Sequence, residues 1–150
     1  MNANPTADLA SAREPDLATT TATACRRILV AEDNLGMLRL LSRALRQQGH
    51  DVVTAHDGRE LMHWIYLLTH WGDRVPLFDL VVTDLRMPTY SGQDCLDHLR
   101  HVGNPTPVVL ITAFGDEDVH EKALAAGARA VLDKPLHLDH LCTVVERILA

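Results

Sequence analysis

Five short apolar runs constrain what this chain can fold into more than any other feature. They are Ile28-Leu29-Val30-Ala31, Val52-Val53-Thr54-Ala55, Leu80-Val81-Val82-Thr83, Val108-Val109-Leu110-Ile111 and Ala130-Val131-Leu132. They are rich in β-branched residues, and none alternates polar with apolar. That is the pattern of strands covered on both faces in a parallel sheet. Between them the spacing becomes helical. Asn34 can cap a helix that carries Leu38, Leu41 and Leu45 and closes at Gly49. After the Asp57-Gly58 turn a second helix runs through about Trp71, broken by Gly72-Asp73-Arg74-Val75-Pro76. A third is predicted from about Gly92 to Val102, and a fourth from about Asp116 to Ala126, stopping at Gly127. The last starts near Leu138 and runs to the C-terminus. Strands alternating with helices make βαβ units, so the expected fold is α/β: a doubly wound, five-stranded parallel sheet with five helices.

An apolar content of 47 % supplies a core for one domain in 150 residues. Residues 1–25 are rich in Ala and Thr and show no apolar periodicity, so they read as a disordered N-terminal tail before a folded domain over 26–150. A net charge of −6 argues against nucleic acid as a partner, because phosphate contacts need clustered Lys and Arg. Cys25, Cys95 and Cys142 are odd in number and widely spaced. They form neither a disulfide framework nor a Cys-x-x-Cys metal pair, which fits a reducing cytoplasm. No apolar run reaches membrane-spanning length, and the N-terminus lacks a secretory layout, so no membrane partner is expected.

The chemistry lies where the runs end. In a parallel sheet all strands present their C-termini on one side, where open α/β sheets place ligand sites. The first run ends in Glu32-Asp33, the third in Asp84, the fourth in Thr112 and the fifth in Asp133-Lys134-Pro135. Taken singly, each has a plain alternative: Asp84 as a turn residue, Glu32-Asp33 as acids at a helix entry, Thr112 as a strand residue, Lys134 as a surface charge. Taken together they bring three carboxylates, a hydroxyl and an ammonium to one edge. Crowded carboxylates repel unless a cation relieves them, and an all-oxygen set suits Mg²⁺, which completes its shell with waters and phosphate. Lys134 and the Thr112 hydroxyl then suit phosphoryl oxygens. Asp84, alone on a central strand, is the candidate nucleophile, since an aspartate can form an acyl phosphate.

This set resembles the receiver domain of response regulators, the phospho-acceptor module of two-component signalling. The resemblance rests on Ile28-Leu29-Val30-Ala31-Glu32-Asp33-Asn34, Asp57-Gly58, Asp84-Leu85-Arg86-Met87-Pro88 with Gly92, Ile111-Thr112-Ala113 and Lys134-Pro135. It implies a flavodoxin-like (βα)5 fold over residues 26–150. It further implies that Asp84 accepts a phosphoryl group from the phosphohistidine of a kinase or phosphotransfer protein. Glu32, Asp33, Asp84 and the backbone carbonyl of Arg86 would bind Mg²⁺. Thr112, Ala113 and Lys134 would face the phosphoryl group, and the Lys134–Pro135 peptide would be cis. Arg86 and Phe114 would flank the group, the Phe114 ring slowing hydrolysis.

Three features depart from the family pattern. The switch aromatic that usually pairs with the threonine is Val131, so coupling is expected through the loop after Thr112, including Phe114 and Gly115. The segment between Gly58 and Asp84 is longer than usual. Nothing follows the last helix, so the expectation is either a stand-alone receiver acting on a downstream protein or a fragment of a longer regulator. Two other functions compete. A phosphorylation-independent adaptor is disfavoured by the intact acid set. An aspartyl-phosphate phosphohydrolase would carry a second acid two residues past the nucleophile, where Arg86 stands. His98 with His101 and His137 with His140 have helical spacing but no zinc set to join. Trp64 and Trp71 share a helical face, and core packing is expected of them. A partner or a second copy of the chain is the other use for the apolar excess of that helix.

Overall fold

The computed structural model describes residues 24–71, 77–113 and 117–150. The strands are β1 (Arg27–Ala31), β2 (Asp51–Ala55), β3 (Leu80–Asp84), β4 (Val108–Thr112) and β5 (Ala130–Asp133). The helices are α1 (Leu35–Gln47), α2 (Gly58–Trp71), α3 (Gly92–His101), α4 (Glu117–Ala125) and α5 (Leu138–Leu149). All strand pairs are parallel, and the order is β2-β1-β3-β4-β5. The expected doubly wound sheet with five helices is therefore what forms.

Strand alternation sorts the core into two halves. Leu29, Val81, Val108 and Leu110 point to one face, where they meet Leu61 and Ile65 of α2, Leu96 and Leu99 of α3 and Ala123 of α4. Ile28, Val30, Val82, Val109 and Leu132 point to the other, against Leu41 and Leu45 of α1 and Leu141 and Val145 of α5. The central strands β3 and β4 are buried throughout, whereas the edge strands β2 and β5 are only partly so. This is why the central runs can be apolar without interruption.

Local signals place the helix ends. The Asn34 side chain accepts from the Met37 amide at 2.9 Å and caps α1. Beyond its last turn Gly49 takes a φ of +94°, a left-handed position that suits glycine. Ser91 and Asp94 form a reciprocal capping box at the start of α3. Asp57 Oδ1 accepts from the Glu60 amide at 2.8 Å and caps α2.

The tryptophan expectation divides. Trp64 packs edge-on against Phe78, with ring centroids 5.8 Å apart. Trp71 is 79 % exposed, because the buried row of α2 (Leu61, Ile65, Leu68) ends one turn before it. Tyr66 is also exposed. The loop expected after Gly72, residues 72–76, lies outside the described residues, as does nearly all of the expected N-terminal tail.

Thr89 has a φ of +71°, which a β-branched side chain tolerates poorly. Replacing Thr89 with Gly is expected to raise stability by about 1 kcal/mol, relief of strain outweighing the added freedom of the unfolded chain. Chemical denaturation checks this, and a fall in stability would contradict it. His50 makes a second case. Its ring is buried, and Nδ1 accepts from the Arg26 amide at 3.4 Å. Nε2 has no hydrogen-bond partner among the described residues. Burial, helped by Arg26, pushes its pKa below the ordinary 6.5, against the pull of Glu146 and Asp79. Between the lowered folded value and 6.5 the unfolded chain binds more protons. The stability this group contributes is therefore present above pH 6.5 and is lost as pH falls below it. From pH 7.5 to 5, a His50→Leu variant should gain on the wild type by on the order of 1 kcal/mol in urea denaturation.

Candidate functional site

The strand order reverses between β1 and β3. The connections leaving these two strands diverge to opposite faces and open a crevice at their C-terminal ends. Glu32 directly follows β1, and Asp84 is the last residue of β3. Glu32, Asp33 and Asp84 can each offer a carboxylate oxygen within 4.8 Å of the others. Glu32 is 1 % and Asp84 6 % exposed, while Asp33 faces solvent.

Lys134 reaches this group from the end of β5. Its Nζ donates to Asp84 Oδ2 at 3.0 Å and lies 3.1 and 3.2 Å from the two Glu32 oxygens. Its amide donates to the Thr112 carbonyl at 2.8 Å, which fastens the end of β5 to the end of β4. The other Asp84 oxygen, Oδ1, accepts from the Arg86 amide at 3.2 Å. The Thr83 hydroxyl donates to the Asp84 backbone carbonyl at 3.1 Å.

One ammonium does not neutralise three carboxylates. Burial raises the Glu32 pKa above its ordinary value, and the Asp84 charge raises it further, against the pull of Lys134. Burial alone would lower Lys134. Its hydrogen bonds and charge pairing with Asp84 and Glu32 outweigh that, and its pKa rises. The pocket thus carries uncompensated negative charge on hard oxygen donors. Those residues fit a hard divalent cation such as Mg²⁺.

The other predicted residues are placed by their elements. Thr112 is buried at the end of β4, and Ala113 follows it at the surface. The Arg86 side chain is exposed. The Lys134–Pro135 peptide is cis, as expected. Val131 is half-buried and packs into the core half that holds Ala123 of α4. Phe114 and Gly115 lie outside the described residues, so the shielding and loop-coupling expectations rest on sequence alone. The sequence reading missed the Thr83 hydroxyl and a hydrogen bond between His120 on α4 and Asp133 on β5, with Nε2 and Oδ1 2.8 Å apart. It also missed a partly exposed group of His56, Asp57 and Glu60 at the start of α2, where Asp57 caps the helix and the other two pair at 3.0 Å.

Fold and pocket together define an α/β protein of flavodoxin-like topology with an acidic, lysine-bridged cleft at its switch point. The chain belongs to the response regulator receiver domain family, whose model matches residues 28–146. It is 35 % identical over 127 residues to the regulatory protein AtoC of Escherichia coli, covering 85 % of this chain and 26 % of that protein. It is 35 % identical over 122 residues to the transcriptional regulatory protein PdtaR of Mycobacterium tuberculosis, covering 81 % and 55 % respectively. The Francisella response regulator 1452 receiver domain superposes with a TM-score of 0.72 at 26 % identity, over 83 % of this chain and 96 % of that one. The match spans little more than half of PdtaR and about a quarter of AtoC, so these relatives lend no support to a stand-alone receiver. Receiver domains are phospho-acceptors of two-component signalling that bind Mg²⁺ at an acidic pocket. No helix among the described residues is long and apolar enough to cross a membrane.

Gly92 lies directly against the end of β3. A Cβ there would sit 2.5 Å from the Asp84 carbonyl oxygen and 3.0 Å from Leu110 Cδ2 and Thr83 Cγ2. Gly92→Ala is therefore expected to cost about 2 kcal/mol in chemical denaturation and to displace the Asp84 backbone. An unchanged stability would show that the loop gives way freely.

Proposed function

We propose that Asp84 takes a phosphoryl group from the phosphohistidine of a partner kinase or phosphotransfer protein, and that the modified domain then binds or releases a downstream protein in the cytoplasm. The observation that carries this reading is the bridging of Asp84 and Glu32 by Lys134 in the crevice between β1 and β3. In the transfer, the nitrogen–phosphorus bond of the donor breaks as a bond forms from a carboxylate oxygen of Asp84. Lys134 exchanges its carboxylate partners for phosphoryl oxygens, and the Thr112 hydroxyl donates to another. Glu32, Asp33, Asp84 and the Arg86 carbonyl would hold Mg²⁺, which when bound supplies positive charge to the phosphoryl oxygens. Ala113 leaves the approach open.

The domain promotes its own phosphorylation and dephosphorylation, but its product is a conformational state. Arg86, an exposed cation two residues past Asp84, leaves the phosphohydrolase reading without its second acid. The adaptor reading does not account for a half-buried lysine between two buried carboxylates. Such an arrangement is costly to desolvate, and it is explained by a charged ligand.

With Mg²⁺ and acetyl phosphate, the intact mass should rise by one phosphoryl group. Asp84→Asn should abolish the adduct, and Asp33→Ala should nearly do so while leaving the fold intact by circular dichroism. Stripping Mg²⁺ with a chelator should have the same effect as Asp33→Ala. An adduct that persists in Asp84→Asn would end this reading.

A further inference from the structure

α4 is the most lightly held helix of this fold. Among its residues Ala123 alone is buried, and Leu124 faces outward at 49 % exposure. A polar tie to the sheet is the bond between His120 Nε2 and Asp133 Oδ1 at 2.8 Å. Val131 packs into the same core half as Ala123, and strand alternation puts Asp133 on that face too. Toward α4, β5 therefore offers a short apolar side chain and a carboxylate. The ring at this contact comes from the helix.

Asp133 is also the residue next to Lys134. The Lys134 ammonium holds Asp84 and Glu32, and its amide is bonded to the Thr112 carbonyl. A planar peptide joins the two residues, so a backbone displacement at Lys134 is carried to Asp133. Around His120, Glu117, Glu121, Leu124 and Asp133 line a cavity of about 440 Å³. Among its described lining residues three are carboxylates and one is an imidazole. Opening the His120–Asp133 bond removes this polar tie between α4 and β5.

We propose that His120 is the residue through which α4 reads the state of the Asp84 pocket, in place of an aromatic ring at Val131. Its bond to Asp133 holds α4 in one position while Lys134 is paired with Asp84 and Glu32. The bond opens when Lys134 turns to a phosphoryl group. This rests on the acceptor reading of Asp84. His120 touches none of the reacting atoms, so it is a positioning residue in a two-state element that the pocket biases.

The test combines acetyl phosphate labelling with amide shifts and amide hydrogen exchange, with and without Mg²⁺ and beryllofluoride, in wild type, His120→Ala and His120→Gln. In wild type, beryllofluoride should shift Asp84, Thr112 and Ala113 and speed exchange in α4. In His120→Ala, exchange in α4 should already be about fivefold to tenfold faster in the free protein, the scale of one lost hydrogen bond. Beryllofluoride should then add nothing in α4, although the shifts at the pocket and the adduct remain. His120→Gln, which keeps a donor for Asp133, should restore the ligand-dependent response and keeps the test open if the alanine variant unfolds. An α4 response in His120→Ala equal to that of wild type overturns the proposal. So does a wild-type adduct with an indifferent α4. Failure of wild type to form any adduct would instead overturn the acceptor reading, and this inference with it.

Discussion

The hydrogen bonds from Lys134 to Asp84 and Glu32 join three strands that are not all neighbours. β5 contacts β4 alone, yet its terminal lysine reaches past β4 to residues at the ends of β3 and β1. Two nearly buried carboxylates would be very costly without a cation, so the pocket as built needs this ammonium. The ammonium needs the Lys134–Thr112 backbone bond to be placed there. Because the same bonds raise the Lys134 pKa, the lysine remains charged and the bridge persists while the pocket is otherwise unliganded.

The bridge also makes the pocket responsive. An ion pair partly buried between the ends of packed strands has few arrangements, and anything that offers Lys134 better oxygens changes which one is occupied. The strands are too well covered to yield, since β3 and β4 are buried along their whole length. Compliance lies at the sheet edge, where β5 is partly exposed and α4 buries one alanine. By contrast α1 buries Leu38, Leu41, Ser42, Ala44 and Leu45, which makes the opposite face the rigid one.

Much of this was legible in the residues taken in order. The five strands, their parallel arrangement and the approach of Glu32, Asp33, Asp84 and Lys134 to one another follow from short apolar runs with polar ends, because strand burial and strand direction are encoded locally. Helix ends followed from Asn34 and Gly49 for the same reason. The exposure of Trp71 did not follow. Its spacing from Trp64 is right for one face, but spacing cannot say where the sheet beneath a helix ends.

The chain by itself determined the fold class, the strand that carries each functional side chain, and the acidic chemistry of the site. Periodicity, caps and turn residues are properties of near neighbours, and they suffice for that. Tertiary structure alone decided that Lys134 bridges Asp84 and Glu32, that Gly92 lies against the Asp84 carbonyl, that His50 is buried with an unpaired nitrogen, and that His120 meets Asp133 across α4 and β5. Each of these joins residues from separate elements or depends on what several elements cover together. No spacing rule links an imidazole to a carboxylate thirteen positions away on another element; only the packing of the helix on the strand brings them within 2.8 Å.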